Sequence, residues 1–228
     1  MAPEYNIFAN DTGVMIFLGF VFLIIIIVFL VNRSAKKRTE NLRTAAMMIG
    51  LSFVEKAPSD FLDKLSGFKL FNDGYSKKAT NLIEGENSGI KFSIFDYKYT
   101  VGMGKHSRTY SQSVYFAEGD KINLPIFSLA PESFFDKIGD IVGFKDIDFD
   151  NHPIFSKNYL LKGEDEMSIR NTFNENILQF FENRKKKICV EANSNRLVIY
   201  NRSETIKPAD LITFKDEMLK IVRLFMRY

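Results

Sequence analysis

Asp146, Asp148 and Asp150 occupy every second position of "KDIDFD". In an extended strand all three carboxylates face the same way. Acids gathered like that suit a hard cation such as Mg²⁺ or Ca²⁺, or general acid–base work. A calcium loop of the EF-hand kind needs acids at positions one, three and five, Gly at six and Glu at twelve. The stretch "DIDFDNHPIFSK" supplies the three acids but has Asn151 at six and Lys157 at twelve. Both positions that set the loop geometry differ. The plainer reading is a short strand with Ile147 and Phe149 inward and the acids toward water. Three acids on one face repel, so Arg170, Lys145 or Lys157 is expected nearby. Glu164, Asp165 and Glu166 lie close in sequence. With Asp146 and Asp148 they make up the alternative reading, a membrane-tethered hydrolase or carboxylate-based metal enzyme.

The other chemistry-bearing residues are sparse. There is one cysteine, Cys189, and two histidines, His106 and His152. No internal disulfide or cysteine-rich zinc site is possible, and neither histidine has the spacing of a zinc hydrolase. Cys189 lies among apolar neighbours in "KICVEA" and reads as a small core residue. His152 precedes Pro153 in an expected loop. "GMGKHS" has a Gly-Lys pair, but Tyr99 stands where a phosphate loop needs Gly, and His106 follows Lys105 where Ser or Thr is required. It reads as a loop between two strands. The run Arg184 to Lys187 reads as the basic end of a helix. A net charge of +3 gives no field for nucleic acid. No cofactor is called for.

The elements that must position these residues begin with a membrane span. Residues 13–31, "GVMIFLGFVFLIIIIVFLV", carry no charge. At about 1.5 Å per residue they reach about 28 Å, close to the thickness of a bilayer's hydrocarbon core. The preceding "MAPEYNIFANDTG" has acids and no Lys or Arg, unlike a cleaved signal peptide. Arg33, Lys36, Lys37 and Arg38 all follow the span. The positive-inside rule then puts the N-terminus outside and the rest in the cytoplasm, and the same four cations are placed to touch lipid head groups.

The expected organisation is an extracytoplasmic tail (1–12), a transmembrane helix (13–31), a basic juxtamembrane stalk and helix (32–60, helical over 39–56) and a cytosolic domain (61–228). Within that domain, alternation predicts strands in "ATNLIEGE", "IKFSIFDYKYTV", "TYSQSVYFAE", "INLPIFSL", "IDF" and "SKNYLLKG". A helix is expected from Pro131 through Val142, and a single long one over 164–187. "KICVEA" and "RLVIYN" read as a hairpin, and a final amphipathic helix starts near Pro208. Strand runs followed by helices mean an α+β class: a mostly antiparallel sheet with helices packed on it, in two similar strand–helix halves.

The motifs "LPIFSLAPE", "DIDFD", "PIFSKNYLLKGEDE" and "IRNTF", in this order, resemble a type of bacterial single-span membrane protein with a cytosolic α+β domain and no assigned activity. The resemblance covers about Phe71 to Phe181 and the anchor. It implies a bacterial inner membrane location and carries over no catalytic residue. The leading expectation is a membrane-anchored interaction or scaffolding module that binds a protein partner or itself. A third reading, a lipid-surface sensor, uses Lys36 to Arg38 with Arg184 to Lys187.

Overall fold

The computed structural model describes residues 7–133 and 146–226. Residues 1–41 and 42–228 are two separate compact units. The first holds most of helix α1 (Ile7–Met48). Its apolar stretch has a mean hydropathy of 3.5, and none of that window is buried. By length and composition this helix is able to cross a membrane.

The helix expected over 39–56 stops at Met48, and Ser52–Lys56 forms strand β1 instead. Gly50, at φ +72°, ends the helix. Leu51 N donates to Ala46 O (3.0 Å) and Gly50 N to Met47 O (3.1 Å), the paired bonds of a Schellman cap. Leu42 and Ala46, on the final turns of α1, are buried in the core of the second unit.

That unit is built on one eight-stranded sheet in the order β1-β2-β3-β4-β8-β7-β5-β6, antiparallel throughout. The strands are β2 (Tyr75–Asn87), β3 (Ile90–Val101), β4 (Arg108–Glu118), β5 (Leu124–Pro131), β6 (Tyr159–Gly163), β7 (Cys189–Ser194) and β8 (Arg196–Tyr200). The α+β class and the antiparallel sheet are as expected, and both strand-rich stretches join the same sheet. The Gly102–Ser107 loop is a β3–β4 hairpin connection, as its sequence suggests. A Cβ on Gly102 (φ +88°) would sit 2.6 Å from His106 O, so only glycine fits there.

Strand alternation divides the core in two. Phe92, Ile94, Tyr115, Leu129, Leu161, Val190 and Ile199 face one side. Helices α3 (Pro153–Asn158), α4 (Glu166–Thr172), α5 (Glu175–Glu182) and α6 (Leu211–Leu224) contribute buried side chains to that side. Phe95, Tyr97, Tyr99, Val114 and Val198 face the other. There the chain between β1 and β2 lays Phe61, Leu65, Phe68, Leu70 and Phe71 over them, the last two from the short helix α2 (Lys69–Asn72). Each such apolar side chain contributes about 1.5–3 kcal/mol when fully buried.

Several elements differ from the sequence expectation. Pro131 is the last residue of β5, opposite Tyr159, because its fixed φ suits a strand end as well as a first helical turn. From Phe134 onward that expected helix, with Phe134, Phe135, Ile138, Ile141 and Val142, lies outside the described residues, as does Lys145. "SKN" is helical within α3, with Pro153 in its first turn. The single helix expected over 164–187 is two. Phe173 turns into the core, and Asn174 Oδ1 then accepts from Ile177 N (3.2 Å), starting α5 afresh. α5 ends at Glu182, so Arg184 to Lys187 follow the helix and do not form its last turn.

Candidate functional site

The acids singled out in the sequence form no strand. Asp146 makes one isolated bridge with Lys162. Ile147 is buried, Phe149 is half-buried, and all three acids are exposed. Asp146 Oδ1 accepts from Leu161 N (3.3 Å). Desolvation, then the neighbouring Asp148 charge, push the Asp146 carboxyl above the usual range. Arg170 does come to this stretch, but Nη1 donates to the main-chain oxygen of Asp148 (2.7 Å) and the guanidinium lies over the Phe149 ring. Its other nitrogens pair with Glu166. Asp165 caps α4, accepting from Ser168 N (3.0 Å) and Ser168 Oγ (2.6 Å). Among the described residues no three His, Cys, Asp or Glu side chains are grouped as a metal site requires.

The basic stretches are also placed. Arg33, Lys36 and Lys37 are exposed on α1, and Arg38 is half-buried. In the second run, Arg184 pairs with Glu217 (2.5 Å), Lys186 with Glu204, and Lys187 Nζ donates to Asn158 Oδ1 (2.6 Å). These cations join separate elements of the sheet domain to one another.

The group with the most unusual environment is Glu191, which the sequence did not mark. It sits mid-strand in β7, only 3% exposed, on the face covered by the segment between β1 and β2. Leu70 N, in the first turn of α2, donates to both its oxygens at 3.3 Å. Tyr200 Oη, from β8, donates to Oε1 at 3.0 Å. Burial drives the Glu191 carboxyl up, and these hydrogen bonds offset only part of that shift. Burial likewise raises the Tyr200 phenol and the Cys189 thiol, so Cys189 remains a protonated, buried group.

Two cavities meet at Glu191. One is a recess of ≈ 30 Å³, with Tyr99, Cys189, Tyr200 and Arg202 among its walls. The other is a cleft of ≈ 280 Å³ between Gly67–Asn72 and the outer face of β5, β6 and β7. Lys69, Ser128 and Glu191 line both. Burial pushes the Lys69 ammonium down. Asp73 and Glu191 counter that shift, and Lys162 and Arg202 add to it. Lys162, from the cleft, and Arg202, from the recess, therefore both act on Lys69. In sequence, Glu191 looks like the wet face of a strand, since Val190 and Ala192 alternate with it. Only the segment from Phe61 to Phe71, distant in the chain, makes that face dry.

His152 is the second residue whose setting was hidden. It is buried, not in an open loop. Nε2 lies 2.8 Å from Glu175 Oε2 and Nδ1 lies 3.2 Å from Glu182 Oε1, so opposite ends of α5 grip one imidazole. The hydrogen bond to Glu175 raises its pKa most, against desolvation, with Glu182 adding to the rise.

No family model matches the chain, and no curated protein matches it. Among solved structures it is similar to the mycobacterial trehalose monomycolate transport factor A, with a TM-score of 0.56 and 11% identity. The alignment covers 82% of this chain and 92% of that one. At that identity the likeness is one of fold.

Proposed function

We propose that this chain is a single-pass membrane-anchored module of the bacterial inner membrane, with its sheet domain in the cytoplasm, that works by binding a protein partner or a second copy of itself. The observation that carries this reading is α1, whose charge-free stretch has no buried residue and continues covalently toward the sheet domain. Arg33, Lys36, Lys37 and Arg38 follow that stretch, the flank retained in the cytoplasm beside anionic head groups. The resemblance to uncharacterised bacterial single-span proteins supports the same location. The structural neighbour, a transport factor by description, shares the fold.

The test has two arms on the full chain in a bacterial membrane. A reporter that is active only outside the cytoplasm, fused after Tyr228, stays silent; activity would overturn the orientation. Site-specific photo-cross-linkers at the exposed positions Val54, Met103 and Ile212 yield discrete protein adducts that depend on the anchor. Turnover of small molecules by the purified chain, without such adducts, would replace this reading with an enzymatic one.

A further inference from the structure

The cleft beside Glu191 has a chemistry that the partner-binding reading leaves unused. Its lining includes Phe68, Ile126, Lys69 and Lys162, while the Phe127 ring points to the opposite face of the sheet. Ile126 projects from the outer face of β5 and is 48% exposed. Glu164 is the acid on the same rim. At its inner end the cleft meets the recess that contains Arg202, through Lys69, Ser128 and Glu191. An apolar trough flanked by ammonium groups matches a ligand with an aliphatic body and an anionic head.

The strands beneath the trough decide between classes of ligand. β5 is paired on both sides, with β6 and β7, and β7 is paired with β5 and β8. From Phe127 onward the trough therefore opens on a sheet face whose backbone groups are bonded within the sheet. An extended peptide lying there would bury N–H and C=O groups with few partners, at a cost of about 1–3 kcal/mol each. An aliphatic chain has no such groups. A volume of ≈ 280 Å³ lies at the small end for ligand pockets and fits one short chain better than a multi-ring molecule. Burial also disfavours the charged form of Glu191, which lessens its repulsion of an anion.

We propose that this cleft binds a medium-length fatty-acyl anion, its chain along Ile126 and Phe68 and its carboxylate between Lys69 and Lys162. The claim stands apart from the partner-binding reading: a wrong ligand leaves the protein adducts at Val54, Met103 and Ile212 intact, and a wrong partner reading leaves the cleft labelled.

The test uses the full chain in phosphatidylcholine nanodiscs with a ten- to twelve-carbon fatty acid bearing a mid-chain diazirine. The corresponding diazirine alcohol serves as the neutral comparison. After illumination, adducts are mapped by peptide mass spectrometry. The acid labels the peptides around Ile126–Ser128 or Gly67–Asn72 about tenfold more than the alcohol does, the scale of a hydrogen-bonded charge pair. Unlabelled decanoate competes this labelling away. The Lys69→Gln, Lys162→Gln double variant loses it by a similar factor while anchor labelling is unchanged. Ile126→Asp, at an exposed position that folding tolerates, loses it as well, and Lys91→Gln on β3 does not. Labelling confined to α1, equal labelling by acid and alcohol, or persistence in folded Ile126→Asp protein would each overturn the proposal.

Discussion

Replacing Glu191 with Gln isolates the energetic effect of one buried carboxyl. The substitution keeps the side-chain shape and an oxygen able to accept from Leu70 N and Tyr200 Oη, at 3.3 and 3.0 Å in the wild type. It removes the proton equilibrium. In the folded chain the Glu191 pKa is raised, so above the ordinary carboxylate range the unfolded chain releases a proton that the folded chain still holds. Wild-type stability then falls by up to about 1.4 kcal/mol for each pH unit, until the folded carboxyl ionises too. Below the ordinary carboxylate range both states are protonated and the effect vanishes. For a domain of this size each kcal/mol moves the melting temperature by about 2–4 °C. Melts followed by circular dichroism from about pH 4 to pH 8 should show Glu191→Gln and wild type converging at the acid end. Toward neutrality the variant becomes the more stable. Parallel curves would show that Glu191 is not desolvated in solution, and the account of the cleft floor would fail with it.

His152 carries the opposite sign. Its folded pKa is raised, so the stability it contributes is fully present below its unfolded value and fades as pH rises through the folded one. His152→Gln should therefore lower the melting temperature most in mild acid and least in mild alkali; a constant deficit would mean that the imidazole is not charged. Phe173→Ala removes a fully buried ring that meets Phe127, Phe149, Phe155 and Phe225, and should cost about 3–5 kcal/mol in denaturant melts, an effect under 1 kcal/mol counting against this packing. Millimolar Mg²⁺ or Ca²⁺ should leave the melting temperature unchanged, whereas a rise abolished by Asp148→Asn would restore the carboxylate–metal reading.

Features carried by local pattern were legible in the sequence. The apolar run of α1 has no charge to misplace, and "IKFSIFDYKYTV" alternates so regularly that β3 occupies those twelve residues. The hairpin of β7 and β8 and the amphipathic α6 were equally plain. Features set by distant partners were not. The helical period across Ile169, Phe173 and Ile177 continues through the break at Phe173 and Asn174, because both helices bury the same side. Glu191 gives no sign that α2, far upstream, will cover it. His152 looks solitary until α5 folds back and brings Glu175 and Glu182 to its two nitrogens. The acids of "KDIDFD" drew attention by their spacing, and the fold leaves them outward around Ile147.

The position of β8 has a consequence for synthesis. The first four strands form a meander in chain order, but β4 must wait for β8, near the end of the chain, to take its open side. Until then the nascent chain presents an unpaired edge bearing Val114, Tyr115 and Phe116, all buried in the finished sheet. Exposed edges of that kind pair with whatever strand is near. Ribosomes translating one message side by side would bring such edges together. Holding them apart until residue 200 emerges is a task for pausing, chaperones or spacing between neighbours, and interrupted synthesis should leave aggregates.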